Sequence, residues 1–247
     1  MTLEEFFTQN PRTAVAFSGG TDSALVLWAA KTWGRDVTAY YVRTPFQPAF
    51  ELADARRLAA ELDVPLAMVE ADVLSLPEVA ANGPERCYFC KRALFTALWR
   101  AVRADGYALL LDGTNASDDA GDRPGMRALA ELDVRSPLRE CGLTKEAVRR
   151  LSRQAGLFTW DKPAYACLAT RVPTGVPITP ADLERVERGE EALFRLGFTD
   201  FRLRLFHGAA RLQMPEGQLE RAAALRGEIV QALQADFDEV LLDLKGR

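Results

Sequence analysis

The chain has one histidine, His207, among its 247 residues. Any centre built on two or more imidazoles is thereby excluded. Long apolar runs are missing too: the longest, Ala24 to Ala30, is far short of the ~20 residues that a membrane-spanning helix needs. The opening segment, MTLEEFFTQN, has neither the basic nor the apolar stretch of an export signal, so a cytoplasmic chain with no membrane partner is expected. Cysteine is sparse, at Cys87, Cys90, Cys141 and Cys167. Without export, such cysteines are more often buried, metal-binding or catalytic than paired in disulfides. There is no excess of positive charge: Lys plus Arg is 31 and Asp plus Glu 35, a net charge of −4, which gives no global attraction to nucleic acid. What is present is an ordinary globular composition, 48% hydrophobic and 27% charged. The length suits one large domain, or a medium one with a small one.

The first half alternates short apolar strands with helices. Strands are expected at Thr13 to Phe17, Val37 to Val42, Leu66 to Val69 and Ala108 to Leu111, with a last one at Val134 to Leu138. Helices are expected at Ser23 to Thr32, Pro48 to Leu62, Lys91 to Ala104 and, behind a Thr144 cap, to Gln154. Strands this apolar are buried on both faces, which indicates a doubly wound parallel-sheet α/β domain with its ligands at the carboxyl ends of the strands. Trp160 to Thr179 carries three prolines and little periodicity. Thr179-Pro180 then opens a helix to about Leu196, followed by two alternating strands, Asp200 to Phe206 and Ala210 to Met214, a helix (Gly217 to Gln234) and a strand (Glu239 to Leu244). The expected division is a nucleotide domain at 1–160, a cysteine-bearing loop at 161–178 and a small α+β domain at 179–247.

The first strand runs into Ser18-Gly19-Gly20-Thr21-Asp22-Ser23 and then directly into a helix. Glycines let backbone N–H groups approach a phosphate, and the helix N-terminus adds a positive dipole. Ser18 and Ser23 add hydroxyls. This is not the Walker pattern, because its lysine is absent. Asp22 would repel a phosphate unless a cation lay between them, so Mg²⁺ is expected to bridge Asp22 and a pyrophosphate. A bare Ser-Gly-Gly could be an ordinary turn; six such residues in the first βα turn of a parallel sheet argue for the cradle.

Arg86-Cys87-Tyr88-Phe89-Cys90-Lys91 places two thiols within reach of one metal, beside cations that favour thiolates. A structural zinc, a redox pair and two unrelated buried cysteines are the alternatives. Cys167 lies in a proline-flanked loop with Arg171 four residues on, placed to stabilise a thiolate or bind an anion. Cys141 has no obvious partner and reads as structural. Arg202 and Arg204 share a strand face, and with Arg211 offer planar guanidinium groups to a phosphate; a solvated polar face is the plainer reading.

SGGTDS, with Asp112-Gly113-Thr114-Asn115 after the fourth strand, resembles the PP-loop of the N-type ATP pyrophosphatases, which cleave ATP to AMP and pyrophosphate. Taken in order, SGGTDS, ERCYFCK, DGTNASDD, RPGMRALAELDVRSPL, WDKPAYACLATRVPTG and FRLRLFHGAARLQ resemble the LarE family across about residues 13 to 213. The resemblance implies ATP-dependent sulfur insertion into a small nucleotide substrate, pyridinium-3,5-biscarboxylic acid mononucleotide, on the way to a nickel-pincer cofactor. It implies ATP and pyrophosphate held by Ser18, Gly19, Gly20, Asp22, Ser23 and Gly113, with Mg²⁺ on Asp22. Cys167 and Asp22 take the catalytic roles. Substrate phosphate falls to Arg202, Arg204 and Arg211, with Glu190 or Glu191 nearby. Family members either surrender a single cysteine's sulfur or use three cysteines to hold a [4Fe-4S] cluster that carries it. Cys87, Cys90 and Cys167 resemble the cluster type. Asp118, Asp119, Arg123 and Arg127 are expected beside the substrate on loop position alone, and Asp122 stands where the family has an aromatic. A homo-oligomer is implied, a hexamer among its forms. Rival readings are a PP-loop tRNA sulfurtransferase, an ammonia-using synthetase and a nucleotide-binding module without catalysis.

Overall fold

The computed structural model describes residues 1–118 and 124–246. The expectations placed on Asp119, Asp122 and Arg123 lie outside the described residues. The chain forms two compact units, Met1–Val73 with Glu85–Lys162, and Leu74–Pro84 with Pro163–Arg247. Among the described residues no helix is long and apolar enough to cross a membrane.

The first unit opens with α1 (Leu3–Gln9), which was not anticipated although its signal is in the sequence. Thr2 and Glu5 form a reciprocal capping box, and Leu3, Phe6 and Phe7 are buried. There follow β1 (Arg12–Ala16), α2 (Thr21–Trp33), β2 (Asp36–Arg43), α3 (Ala49–Glu61) and β3 (Leu66–Glu70). The short helix α4 (Pro77–Ala80) belongs to the second unit; α5 (Arg86–Ala104), β4 (Leu110–Leu111), α6 (Pro124–Glu131), α7 (Pro137–Glu140) and α8 (Lys145–Gln154) return to the first. The sheet order is β3-β2-β1-β4, and every pair is parallel.

Period two sends alternate residues of each strand to opposite faces. Val15, Phe17, Ala39, Tyr41 and Leu111 pack into one core with α2. Ala14, Tyr40 and Leu110 pack into another with Phe95, Leu98 and Trp99 of α5. Helices therefore cover both faces, the doubly wound arrangement. Helix α2 is buried at Ala24, Leu25, Val26, Leu27, Ala29 and Ala30, as expected of a helix apolar on all sides. Each fully buried leucine there contributes roughly 1.5–3 kcal/mol.

The strand expected at Val134 to Leu138 is a correction. Only an isolated bridge joins Leu111 to Arg135, because Pro137 has no N–H to pair and instead opens α7. The fourth strand is likewise trimmed to two residues.

The second unit contains a 3₁₀ turn (Leu168–Arg171), α9 (Pro180–Arg195), β5 (Arg202–Phe206), β6 (Ala209–Gln213), α10 (Glu216–Ala224), α11 (Arg226–Leu233) and β7 (Val240–Leu242). Its sheet order is β5-β6-β7. Two residues with positive φ, His207 at 50° and Gly208 at 91°, close the β5–β6 hairpin. The single helix expected from Gly217 to Gln234 is broken at Leu225 (φ −90°, ψ 17°). Segment 74–84 joins this unit through buried Asn82. Its side-chain amide donates to the carbonyls of Pro173 and Val176, both at 2.9 Å. Its own carbonyl accepts from Gly175 N at 2.9 Å.

Candidate active site

The turn after β1 is held by short-range bonds and close backbone packing. Gly19 has φ +75°, and a Cβ there would lie 2.9 Å from the Glu51 carbonyl, so only glycine fits. Gly20 caps α2 without a side chain, leaving the amides of the first turn to a ligand. The Ser18 and Ser23 hydroxyls stand 3.2 Å apart. A Cβ on Gly113 would lie 2.7 Å from Ser23 N, so this glycine lets the Asp112–Asn115 turn press against the start of α2. That turn is tied down by Asp112, which accepts from Thr114 Oγ1 at 2.5 Å and Ser136 Oγ at 2.6 Å. Asn115 Nδ2 in turn donates to Asp22 Oδ1 at 3.2 Å.

Burial pushes the Asp22 pKa above the ordinary carboxylate value; Asn115 works against that rise, Asp118 adds to it, and Lys145 and Arg149 oppose it. A half-buried carboxylate beside an anion cradle fits Mg²⁺, a hard cation that binds through one or two carboxylates, phosphates and water. Among the described residues no cluster of three or more His, Cys, Asp or Glu side chains is gathered to hold a metal by itself. Above the cradle lies a cavity of about 300 Å³ that Ser18, Gly20, Asp22, Ser23 and Gly113 share with an apolar wall including Tyr41 and Phe95. Phosphate donors at the floor and apolar surface at the wall suit a nucleotide. Lys162 approaches the turn from behind, 2.6 Å from Asp54 Oδ2 and 3.5 Å from the Gly19 carbonyl.

Cys87 and Cys90 sit in the first turn of α5, Cys87 exposed and Cys90 half-buried, and all four cysteines carry thiols. Arg86 Nη2 is 3.5 Å from Cys87 Sγ. Arg127 pairs with Glu85 at 2.6 Å and covers the Tyr88 ring at 3.8 Å. Tyr88 also donates to Glu131 at 2.8 Å. Helix α6, which no sequence signal was used to place, thus clamps the thiol-bearing turn.

In the second unit Cys167 precedes the 3₁₀ turn, its carbonyl accepting from Thr170 N at 2.9 Å and Thr170 Oγ1 at 2.8 Å. Arg171 is fully buried. It donates to Glu190 at 2.8 and 3.1 Å and to the Ala166 carbonyl at 2.7 Å. Burial opposes its charge, but the hydrogen bonds and charge of Glu190 prevail and hold its pKa above the ordinary value. Glu190 also accepts from Leu203 N at 3.0 Å and from the Tyr165 hydroxyl. Of the two glutamates, then, Glu190 faces inward and Glu191 is exposed. Glu190 is engaged by the loop's own residues.

The three arginines expected to bind phosphate share one face of the hairpin, Arg204 directly opposite Arg211. Arg202 is buried and donates to the carbonyls of Phe201 and Ala164. Arg204 donates to the Thr170 carbonyl at 2.5 Å and to Gln213 at 2.6 Å. Arg211 pairs with Asp243 at 2.7 Å. Arg202 and Arg204 therefore brace the Cys167 loop, a role that strand alternation does not reveal.

A strand–SGGTDS–helix cradle at the end of a doubly wound parallel sheet defines the PP-loop class of nucleotide enzymes. No family model matches the chain. It is 38% identical over 99% of its length, and 92% of the other's, to an uncharacterized protein of Synechocystis. It is 34% identical over 95% of its length, and 86% of the other's, to the pyridinium-3,5-bisthiocarboxylic acid mononucleotide synthase of Lactiplantibacillus plantarum. A more distant match, 24% identical over 60% of this chain and 51% of the other, is a tRNA-specific 2-thiouridylase of Clostridium botulinum. The chain belongs to the LarE family.

Proposed function

We propose that this protein uses ATP to insert sulfur into pyridinium-3,5-biscarboxylic acid mononucleotide, converting its carboxylates to thiocarboxylates. The observation that carries this reading is similarity to the named synthase over 95% of the chain, which includes both the phosphate cradle and the Cys167 loop. The thiouridylase match reaches 60% of the chain, so a tRNA substrate has less support.

A substrate carboxylate oxygen attacks the α-phosphorus of ATP, the bond from that phosphorus to the bridging oxygen breaks, and its electron pair leaves with pyrophosphate. Ser18, Gly19, Gly20 and Ser23 bind the departing phosphates, and Gly113 lets the second turn close on them. Asp22 would hold Mg²⁺, which supplies charge neutralisation to the pyrophosphate. A sulfur nucleophile then attacks the acyl carbon and AMP departs, with Cys167 as the proposed catalytic cysteine. Cys87, Cys90 and Cys167 are the soft donors that would hold a [4Fe-4S] cluster, which would carry a sulfide in place of a sacrificed cysteine. Arg202, Arg204 and Arg211, on one face of the hairpin, would bind the nucleotide phosphate, Arg204 and Arg211 being half-buried. Exposed Val230 and Leu244 on the second unit suit association into a homo-oligomer.

Mass spectrometry after turnover with ATP, Mg²⁺ and the biscarboxylate nucleotide tests the reading: a thiocarboxylate product and AMP are expected, and their absence from the wild-type chain refutes it. Iron counting after anaerobic reconstitution separates the two sulfur sources. Iron-free protein that loses sulfur from Cys167 identifies the sacrificial route.

A further inference from the structure

We propose that Lys91 is a phosphate-binding residue of the nucleotide site, an assignment that rests on the ATP-dependent reading above. Lys91 follows Cys90 on α5 and lines the cavity of about 300 Å³ together with Ser18, Gly20, Asp22 and Ser23. Lys145, whose charge acts on Asp22, is not among the residues that line this cavity. Lys162 is held by Asp54 at 2.6 Å, and Arg149 by the Lys162 carbonyl at 2.8 Å. Arg139 is held by the Asp118 carbonyl and Arg127 by Glu85. Among the described residues no carboxylate or carbonyl is paired with Lys91.

Gly125 explains how the ammonium is kept over the cavity. A Cβ at 125 would lie 2.8 Å from Lys91 Cδ, 3.1 Å from Cε and 3.3 Å from Nζ. The outer part of the lysine side chain therefore lies against α6 at Gly125. An alanine would have to push the stem aside, since the clash falls in the middle of the side chain.

The cradle itself has this gap in its chemistry. A Walker loop carries its own lysine to the phosphates, whereas SGGTDS has amides, hydroxyls and a carboxylate. The six residues of the loop carry no cation of their own. Lys91 supplies one at the cavity wall, where low dielectric strengthens its attraction to the charge that builds on the pyrophosphate as the bond breaks.

Titration of the full chain with inorganic pyrophosphate in Mg²⁺, beside AMP formation from ATP and the biscarboxylate nucleotide, tests the assignment. Lys91→Gln is expected to lower AMP formation by about a hundredfold and to weaken pyrophosphate binding, with a shallower salt dependence. Lys91→Arg should regain part of both. Gly125→Ala, which keeps the ammonium but displaces it, should weaken pyrophosphate binding, and adding it to Lys91→Gln should cost no more. Wild-type pyrophosphate affinity in Lys91→Gln, or losses from the two variants that simply add, would overturn the assignment. A wild-type chain that binds pyrophosphate through Lys91 yet makes no thiocarboxylate would instead sink the sulfur-transfer reading and leave Lys91 standing.

Discussion

Each unit sets a carboxylate at the heart of its candidate chemistry, Asp22 half-buried and Glu190 buried, and the two are handled differently. Asp22, beside the phosphate cradle, takes a 3.2 Å bond from Asn115 while burial raises its pKa. Glu190, behind the Cys167 loop, is 1% exposed and is met by Arg171, Tyr165 and the Leu203 amide. The first has a single side-chain hydrogen bond from Asn115, which suits a group proposed to bind a cation. The second is compensated by the protein itself, which is the state of a structural brace. Burial and charge alone do not distinguish a binding carboxylate from a bracing one; the partners do.

The largest effect is expected from breaking the brace. Arg171→Met leaves Glu190 buried without its cation, and about 3–5 kcal/mol of stability should be lost, read as a fall in the urea midpoint. The double variant Arg171→Met/Glu190→Leu should recover most of that loss; if it does not, the pair is more than a compensated charge. Next comes Gly113→Ala, whose Cβ meets the Ser23 backbone at 2.7 Å. Backbone cannot swing aside, so a loss of about 1–3 kcal/mol is expected, with weakened ATP binding by titration.

Asp22→Asn sharpens the comparison through pH. The folded pKa of Asp22 lies above the reference 3.8, so its ionised form costs stability above that raised value, and the cost fades as pH falls toward 3.8. The variant should melt higher than the wild type at neutral pH without ligand. The difference should vanish on acidification, while AMP formation is lost. The smallest effect belongs to Glu191→Gln. Its side chain is exposed, and a change within about 0.5 kcal/mol is expected, against the severe cost of altering its neighbour Glu190.

Legibility followed locality. The cradle is six consecutive residues whose glycines and hydroxyls announce its geometry, and the alternation of apolar segments announces the sheet around it. Helix α1 could have been read from Thr2 and Glu5. The missing fifth strand could have been read from Pro137. The roles of Arg171, Arg202 and Arg204 could not: Arg171 meets a carboxylate 19 positions away, Arg202 and Arg204 meet loop carbonyls 38 and 34 positions away, and carbonyls look alike in any sequence. Asn82 was silent for the same reason: its amide joins segment 74–84 to carbonyls some ninety positions later.

Sequence alone determined the class of the protein. Short-range periodicity selects a parallel sheet, and a phosphate loop is a local backbone conformation that glycine and serine encode in place. Tertiary structure alone decided which charged side chains are spent within the protein and which still face a cavity. That choice depends on where a guanidinium or ammonium ends up among carbonyls and carboxylates brought close by folding, and so Arg171 became a buried brace while Lys91 was left over the nucleotide cavity.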